Sequence, residues 1–287
     1  MMLKTEILLD GLGFPEAPRW HDGKLWFSDM GTRRVMTVDL EGNAETVVDV
    51  PGQPSGLGWL PDNHLLVVSM ADRRLLRLDP HGLVEVADLR EFASFHCNDM
   101  VVDKQGRAYI GNFGFDIEDP DAPLKQAVIV LVTPDGAARI VADEMVFPNG
   151  SVITPDGGTL IVAESFASRL SAFAIERDGS LTGRRVWAQF DDLGFVMSDK
   201  RICPDGICLD AEGAIWVASP DSAEVLRVRE RGDITHRFTV ETQPFAVMLG
   251  GPDRQTLFVC TTLLSERNSG RGRIETVRVD VPGAGLP

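Results

Sequence analysis

A chain of 287 residues with a net charge of −15 lacks the clustered Lys and Arg that release counterions from phosphate, so nucleic acid is not expected as a partner. Its 44% apolar and 25% charged content is that of a folded soluble protein, and no run approaches the roughly 20 apolar residues of a membrane span. The N-terminal stretch MMLKTEILLDG carries one Lys, is interrupted by Glu6 and has no small-residue cleavage site, which makes a cytoplasmic location the default expectation. The four cysteines, Cys97, Cys203, Cys208 and Cys260, form no CxxC pair and read as free buried thiols.

The first element, TEILLD (5–10), is a strand with no obvious partner nearby. A seven-residue segment then recurs six times: FPEAPRW (14–20), QPSGLGW (53–59), HCNDMVV (96–102), FPNGSVI (147–153), CPDGICL (203–209) and QPFAVML (243–249). Each leads through a polar turn to an apolar strand, in order KLWFSD, HLLVVS, RAYIGN, TLIVAE, AIWVAS and TLFVCT. Third strands such as RRVMTVDL, RRLLRLDP, AVIVLVTP and EVLRVRE alternate as half-buried strands do. Gly- and Asp-containing turns supply the positive φ of tight hairpins and lead to fourth strands such as ETVVDV, VEVADL, ARIVAD and ITHRFTV. Four antiparallel strands in a repeat of roughly 40 residues define a β-propeller blade. The sixth repeat lacks a fourth strand after ETVRVDV (275–281). TEILLD therefore completes it, closing residues 1–287 into one six-bladed all-β propeller domain and removing two open sheet edges.

The third residue of the six segments is Glu16, Ser55, Asn98, Asn149, Asp205 and Phe245. The first strand of each blade lines the tunnel, so this position forms a ring around the axis. Two carboxylates and two amide carbonyls, from Glu16, Asn98, Asn149 and Asp205, suit a hard divalent cation. Calcium fits first, magnesium and manganese also fit, and zinc is less expected without His or Cys. The competing reading is that these polar residues only cap turns at strand starts. In an antiparallel blade the start of the first strand and the second-to-third connection share a face. The long insertions GFDIEDPDAPLKQ (114–126), AQFDDLGFVMSDKRI (188–202) and LLSERNSG (263–270) all fall on that face, where loop elaboration marks function.

The stretches FPEAPRW, CNDMVVDKQGRAYIGN, FPNGSVITPDGGTLIVAES and PDGICLDAEGAIWVA resemble the regucalcin (senescence marker protein) and gluconolactonase family of six-bladed propellers. The resemblance implies a catalytic divalent metal held by Glu16, Asn149 and Asp205, with Asn98 beside it contacting substrate or ligating. It also implies hydrolysis of sugar lactones, of other lactones, or of organophosphates. Gluconate-forming members often carry an Arg that contacts hydroxylated substrate two residues before that Asn; here the position is His96.

A divalent ion polarises a carbonyl and lowers the pKa of water, so Asp205 is expected to serve as ligand and general base while Asn98 orients the carbonyl. No Gly-x-Ser-x-Gly elbow occurs, which argues against a serine nucleophile. His96 could shuttle a proton or hold substrate, or be merely packed or solvated, and Phe115 and Phe245 are further candidates for substrate contact. The other histidines, His21, His64, His81 and His236, read as surface groups on turns or outer strands. Phe95, Phe113, Phe147, Phe166, Phe195 and Met197 also lie near strand ends on the ligand face and could form an apolar pocket, which points toward a more hydrophobic lactone or ester. The alternatives are a metal-dependent phosphotriesterase or aryl esterase on the same site, or a non-catalytic calcium-binding propeller.

Overall fold

A computed structural model describes residues 3–191, 201–266 and 268–285. Among these residues, twenty-four strands form six four-stranded antiparallel sheets. After β1 (Glu6–Leu12), blade one holds β2 (Pro15–His21), β3 (Lys24–Asp29), β4 (Arg34–Val38) and β5 (Ala44–Asp49). Blade two holds β6 (Pro54–Trp59), β7 (Leu65–Ser69), β8 (Arg74–Asp79) and β9 (Gly82–Asp88). Blade three holds β10 (Cys97–Val102), β11 (Ala108–Asn112), β12 (Ala127–Val132) and β13 (Ala138–Met145). Blade four holds β14 (Pro148–Ile153), β15 (Thr159–Glu164), β16 (Arg169–Ile175) and β17 (Leu181–Gln189). Blade five holds β18 (Ile207–Leu209), β19 (Ile215–Ser219), β20 (Glu224–Val228) and β21 (Ile234–Thr239). Blade six holds β22 (Gln243–Gly250), β23 (Thr256–Thr262) and β24 (Gly272–Arg278).

The spare N-terminal strand completes blade six. β1 pairs antiparallel with β24, from Glu6 opposite Thr276 to Leu12 opposite Gly272, and Thr5 Oγ1 donates to Glu275 at 2.5 Å. The innermost strands touch in a closed cycle, β2 to β6, β10, β14, β18, β22 and back to β2. This is the six-bladed propeller, and two boundaries shift. β24 starts at Gly272 rather than near Glu275, because Gly272 and Ile274 pair with Leu12 and Leu9. The insertion into blade five begins at Phe190, because Ala188 and Gln189 finish β17 opposite Leu170 and Arg169.

The apolar core lies between blades. Phe27 of β3, Trp216 of β19 and Phe258 of β23 are fully buried in one cluster that joins blades five, six and one. Each such side chain contributes about 1.5–3 kcal/mol through burial. Close approach at the axis depends on small residues. A Cβ on Gly150 would fall 2.6 Å from the Ile207 nitrogen, and one on Gly206 would fall 2.5 Å from the Ala246 Cβ. That contact lets Gly150 N donate to the Asp205 carbonyl and Gly206 N to the Phe245 carbonyl, which ties blade four to five and five to six. Among the described residues no helix is long and apolar enough to cross a membrane.

Candidate active site

Glu16, Ser55, Asn98 and Asn149 are each the second residue of an innermost strand, Phe245 is the third of β22, and Asp205 stands two residues before β18. Three of them, Glu16, Asn149 and Asp205, interact, and Asn98 is bonded to the segment that carries Asn149. Asp205 interacts electrostatically with Glu16 and is hydrogen-bonded by the Asn149 side chain. Asn98 Nδ2 donates to the Pro148 carbonyl at 3.1 Å, and Asn149 Nδ2 donates to Ser165 Oγ at 3.2 Å. Ser165 Oγ in turn donates to the Pro204 carbonyl at 2.8 Å, which links the Asn149 and Asp205 segments. Ser55 and Phe245 are buried and bring no further carboxylate or amide to the ring; the Ser55 carbonyl accepts from Ser28 Oγ.

The segments that carry these side chains are pinned by buried polar residues that the sequence reading left inside apolar strands. The strand facing each segment ends on Asp29, Ser69, Asn112, Glu164 or Ser219, and in blade six on Thr262, next to Thr261, all buried. In blades one, four and five this residue accepts a backbone N–H just ahead of the ring position. Asp29 accepts from Gly13 and Phe14 at 3.0 and 2.8 Å, Glu164 from Val146 at 2.8 Å, and Ser219 Oγ from Cys203 at 3.1 Å. Those are the blades of Glu16, Asn149 and Asp205. In blade three Asn112 instead accepts from Gly114, behind its own strand, and in blade six Thr261 Oγ1 donates to Glu275. The signal was present: every second strand ends on a polar residue after an apolar run.

Both carboxylates are half-buried, and both have a raised pKa. Burial pushes Glu16 up to about 8, although Ala17 N donates to its Oε2 at 2.8 Å. Burial and then repulsion by Glu16 hold Asp205 well above the usual carboxylate range. Its Oδ1 is buried without a hydrogen-bond partner among the described residues. Asp99, one residue beyond Asn98, adds negative charge beneath the pair and is itself answered by Arg19 Nη2 at 2.8 Å in a buried ion pair. That pair was also legible. Arg19 and Asp99 stand at repeat positions that are small or apolar in the other five segments.

These residues fit a divalent cation. Their amide NH2 groups are engaged with protein acceptors, which leaves the Oδ1 atoms of Asn98 and Asn149 as donors, and the carboxylates carry charge that the protein does not neutralise. Among the described residues no group of three or more His, Cys, Asp or Glu side chains is placed to hold a metal. A cation held here would therefore depend on the amide oxygens of Asn98 and Asn149 as well as on the two carboxylates.

His96 is half-buried, and burial lowers its pKa below the ordinary imidazole value. It stacks on Phe95 with ring centroids 4.1 Å apart and meets Phe113 edge-on at 5.9 Å. Phe115 contacts Phe166 at 6.1 Å, and Phe245 meets Phe14 edge-on at 4.7 Å. Phe195 and Met197 lie outside the described residues. His21, read as a surface group, instead closes β2 and stacks on Trp59 at 4.0 Å, because the Trp26 and Trp59 rings form a half-buried shelf there. All four cysteines are free and buried, and burial raises each thiol pKa, so none is poised as a nucleophile.

Residues 14–263 match the SMP-30/Gluconolactonase/LRE-like region family. The chain belongs to that family. It is 25% identical over 295 residues to the pentonolactonase XacC of Haloferax volcanii, covering 99% of this chain and 93% of that one. It is 24% identical over 287 residues to the 6-deoxy-6-sulfogluconolactonase of Pseudomonas putida, covering 95% and 93%. Among solved structures it is similar to a calcium-binding protein, regucalcin, from Agrobacterium tumefaciens strain C58, with a TM-score of 0.80, 22% identity, and coverage of 99% and 97%. That last likeness concerns the fold alone.

Proposed function

We propose that this chain, acting as one propeller domain, is a divalent-metal-dependent lactonase. The observation that carries the reading is the pair of half-buried carboxylates, Glu16 and Asp205, with an orphaned Asp205 Oδ1 beside two amides whose oxygens are left available. Relatives of the same family are named as lactonases, which supports the reaction class. Glu16, Asn98, Asn149 and Asp205 would hold the ion. Calcium is the first choice for an all-oxygen set, which the name of the Agrobacterium relative supports, and magnesium, manganese or zinc are the alternatives. When bound, the ion supplies a Lewis acid for the lactone carbonyl and compensates the two carboxylate charges.

The remaining chemistry belongs to the side chains. Asp205 accepts a proton from water as the water oxygen bonds to the carbonyl carbon. The ring C–O bond then breaks, and the proton passes to the departing alkoxide to give the hydroxy acid. Asn98, held by the Pro148 carbonyl, orients the substrate carbonyl. The test is a lactone screen on chelated protein with calcium, manganese, magnesium or zinc added back. Turnover should vanish with chelator and return with one or more ions. Equal turnover in the metal-free sample would overturn the reading.

A further inference from the structure

We propose that the substrate is an uncharged lactone bearing an aromatic ring, which stacks against a wall of rings on blades three and four. The inference rests on the lactonase reading of the same site. Six rings run without a break: Phe95, His96, Phe113, Phe147, Phe166 and Phe115. The two central contacts, Phe113 with Phe147 and Phe147 with Phe166, have centroids only 4.6 and 4.5 Å apart.

Their place in the fold sets them beside the candidate ligands. Phe95 and His96 lead into β10, and Phe147 leads into β14, so they precede Asn98 and Asn149 by two or three residues. Phe113 and Phe115 follow β11, and Phe166 sits in the short 3-10 turn Ser165–Ala167 after β15. All are on the face of the long insertions. Five of the six remain half-buried, whereas the aromatic residues of the inter-blade core, such as Phe27, Trp216 and Phe258, are fully buried. A continuous, partly open aromatic run at the functional face is a surface built for an apolar ligand. The Phe14–Phe245 pair supplies a second aromatic contact across the ring from blades one and six.

Three polar groups near the wall, Ser94, Asn112 and Arg73, are committed elsewhere and are not free to bind the hydroxyls of a polyhydroxylated ring. Ser94 Oγ donates to the Gly114 carbonyl, Asn112 is used on both sides by Val128 and Gly114, and Arg73 Nη1 donates to the Ala93 carbonyl. Asp116 and Glu118, on the loop of Phe115, lie within electrostatic reach of His96 and put negative charge on the rim. An anionic substituent would meet that charge.

The experiment compares 3,4-dihydrocoumarin, an aryl δ-lactone, with glucono-δ-lactone and δ-valerolactone on the metal-loaded protein. The aryl lactone should have the highest kcat/KM. Phe166→Leu and Phe113→Leu, which stay apolar and remove the ring, should each lower the dihydrocoumarin to valerolactone ratio by about three- to tenfold. Calorimetric binding of the corresponding lactam, 3,4-dihydro-2-quinolinone, should weaken by a similar factor in both variants. Preference for glucono-δ-lactone, or Leu variants that leave ratio and lactam affinity unchanged, would overturn the proposal. Turnover of no lactone together with ring-dependent lactam binding would sink the lactonase reading and keep the aromatic site.

Discussion

Two regions of the propeller treat buried negative charge in opposite ways. Glu164, at the end of β15, is fully buried, and burial alone would raise its pKa. Bonds from Arg169 and Ser171, with the Val146 N–H, outweigh that cost and hold it below the usual carboxylate range, and Arg184 adds a further contact. Asp205 and Glu16, half-buried and without a bonded cation among the described residues, repel one another and are both raised. Arg19, the nearest cation, is committed to Asp99. Where charge serves the scaffold, the protein satisfies it completely. Where it is left uncompensated, at Glu16 and Asp205, the proposed cation would be the missing partner.

The sharpest way to break this contrast is Asp205→Asn, which keeps the volume and removes the base. Lactone turnover should fall by about two to four orders of magnitude with the fold intact by circular dichroism, and near-normal turnover would remove Asp205 from the chemistry. Glu164→Gln should leave Arg169 and Arg184 without their anion and cost about 2 kcal/mol in urea denaturation, less than a fully enclosed pair because both arginines are partly exposed. Glu16→Gln should do the reverse in chelator at pH 8, raising Tm, and should abolish the rise in Tm that calcium produces in the parent protein.

The pH dependence has the same logic and a definite sign. Glu16 binds its proton up to about 8 when folded against a reference of 4.5, so between those values the folded state holds more protons than the unfolded one. Metal-free stability is therefore greatest below about 4.5 for this group and declines as pH rises toward 8, with Asp205 adding to the decline. Thermal melts with and without calcium should diverge more at pH 8 than at pH 5.5, and a constant gap would contradict the assignment. The smallest expected effect is at Ser219. Ser219→Ala deletes the acceptor for Cys203 N–H, costs about 1 kcal/mol, and weakens calcium affinity severalfold by loosening the approach to Asp205.

The propeller was legible because each repeat restates the same punctuation: a Pro- or Cys-containing start, an apolar pair of strands and a turn with Gly or Asp. Aligning six copies also isolated Glu16, Asn98, Asn149 and Asp205 as one ring position. What the alignment hid was everything that depends on contact between different repeat positions. Asp29, Glu164 and Ser219 looked like strand ends, since nothing in a strand reveals which N–H it will meet across the hairpin. The continuity of Phe113, Phe147 and Phe166 is a property of two blades and three connections, invisible to a count along the chain. His21 was misjudged for the same reason: its partner, Trp59, belongs to the next blade.

The junction of β1 with β24 has a consequence for how the molecule is made. Thr5 and Glu275 are 270 positions apart, so a nascent chain emerging from the ribosome cannot seal its ring until nearly all of it has been synthesised. Glu16 and Asp205 belong to the two blades that flank the blade of that seam, while Asn98 lies on the far side of the circle. High cation affinity is thus expected to arrive only with the last strand, and calcium uptake during refolding would time the moment of closure.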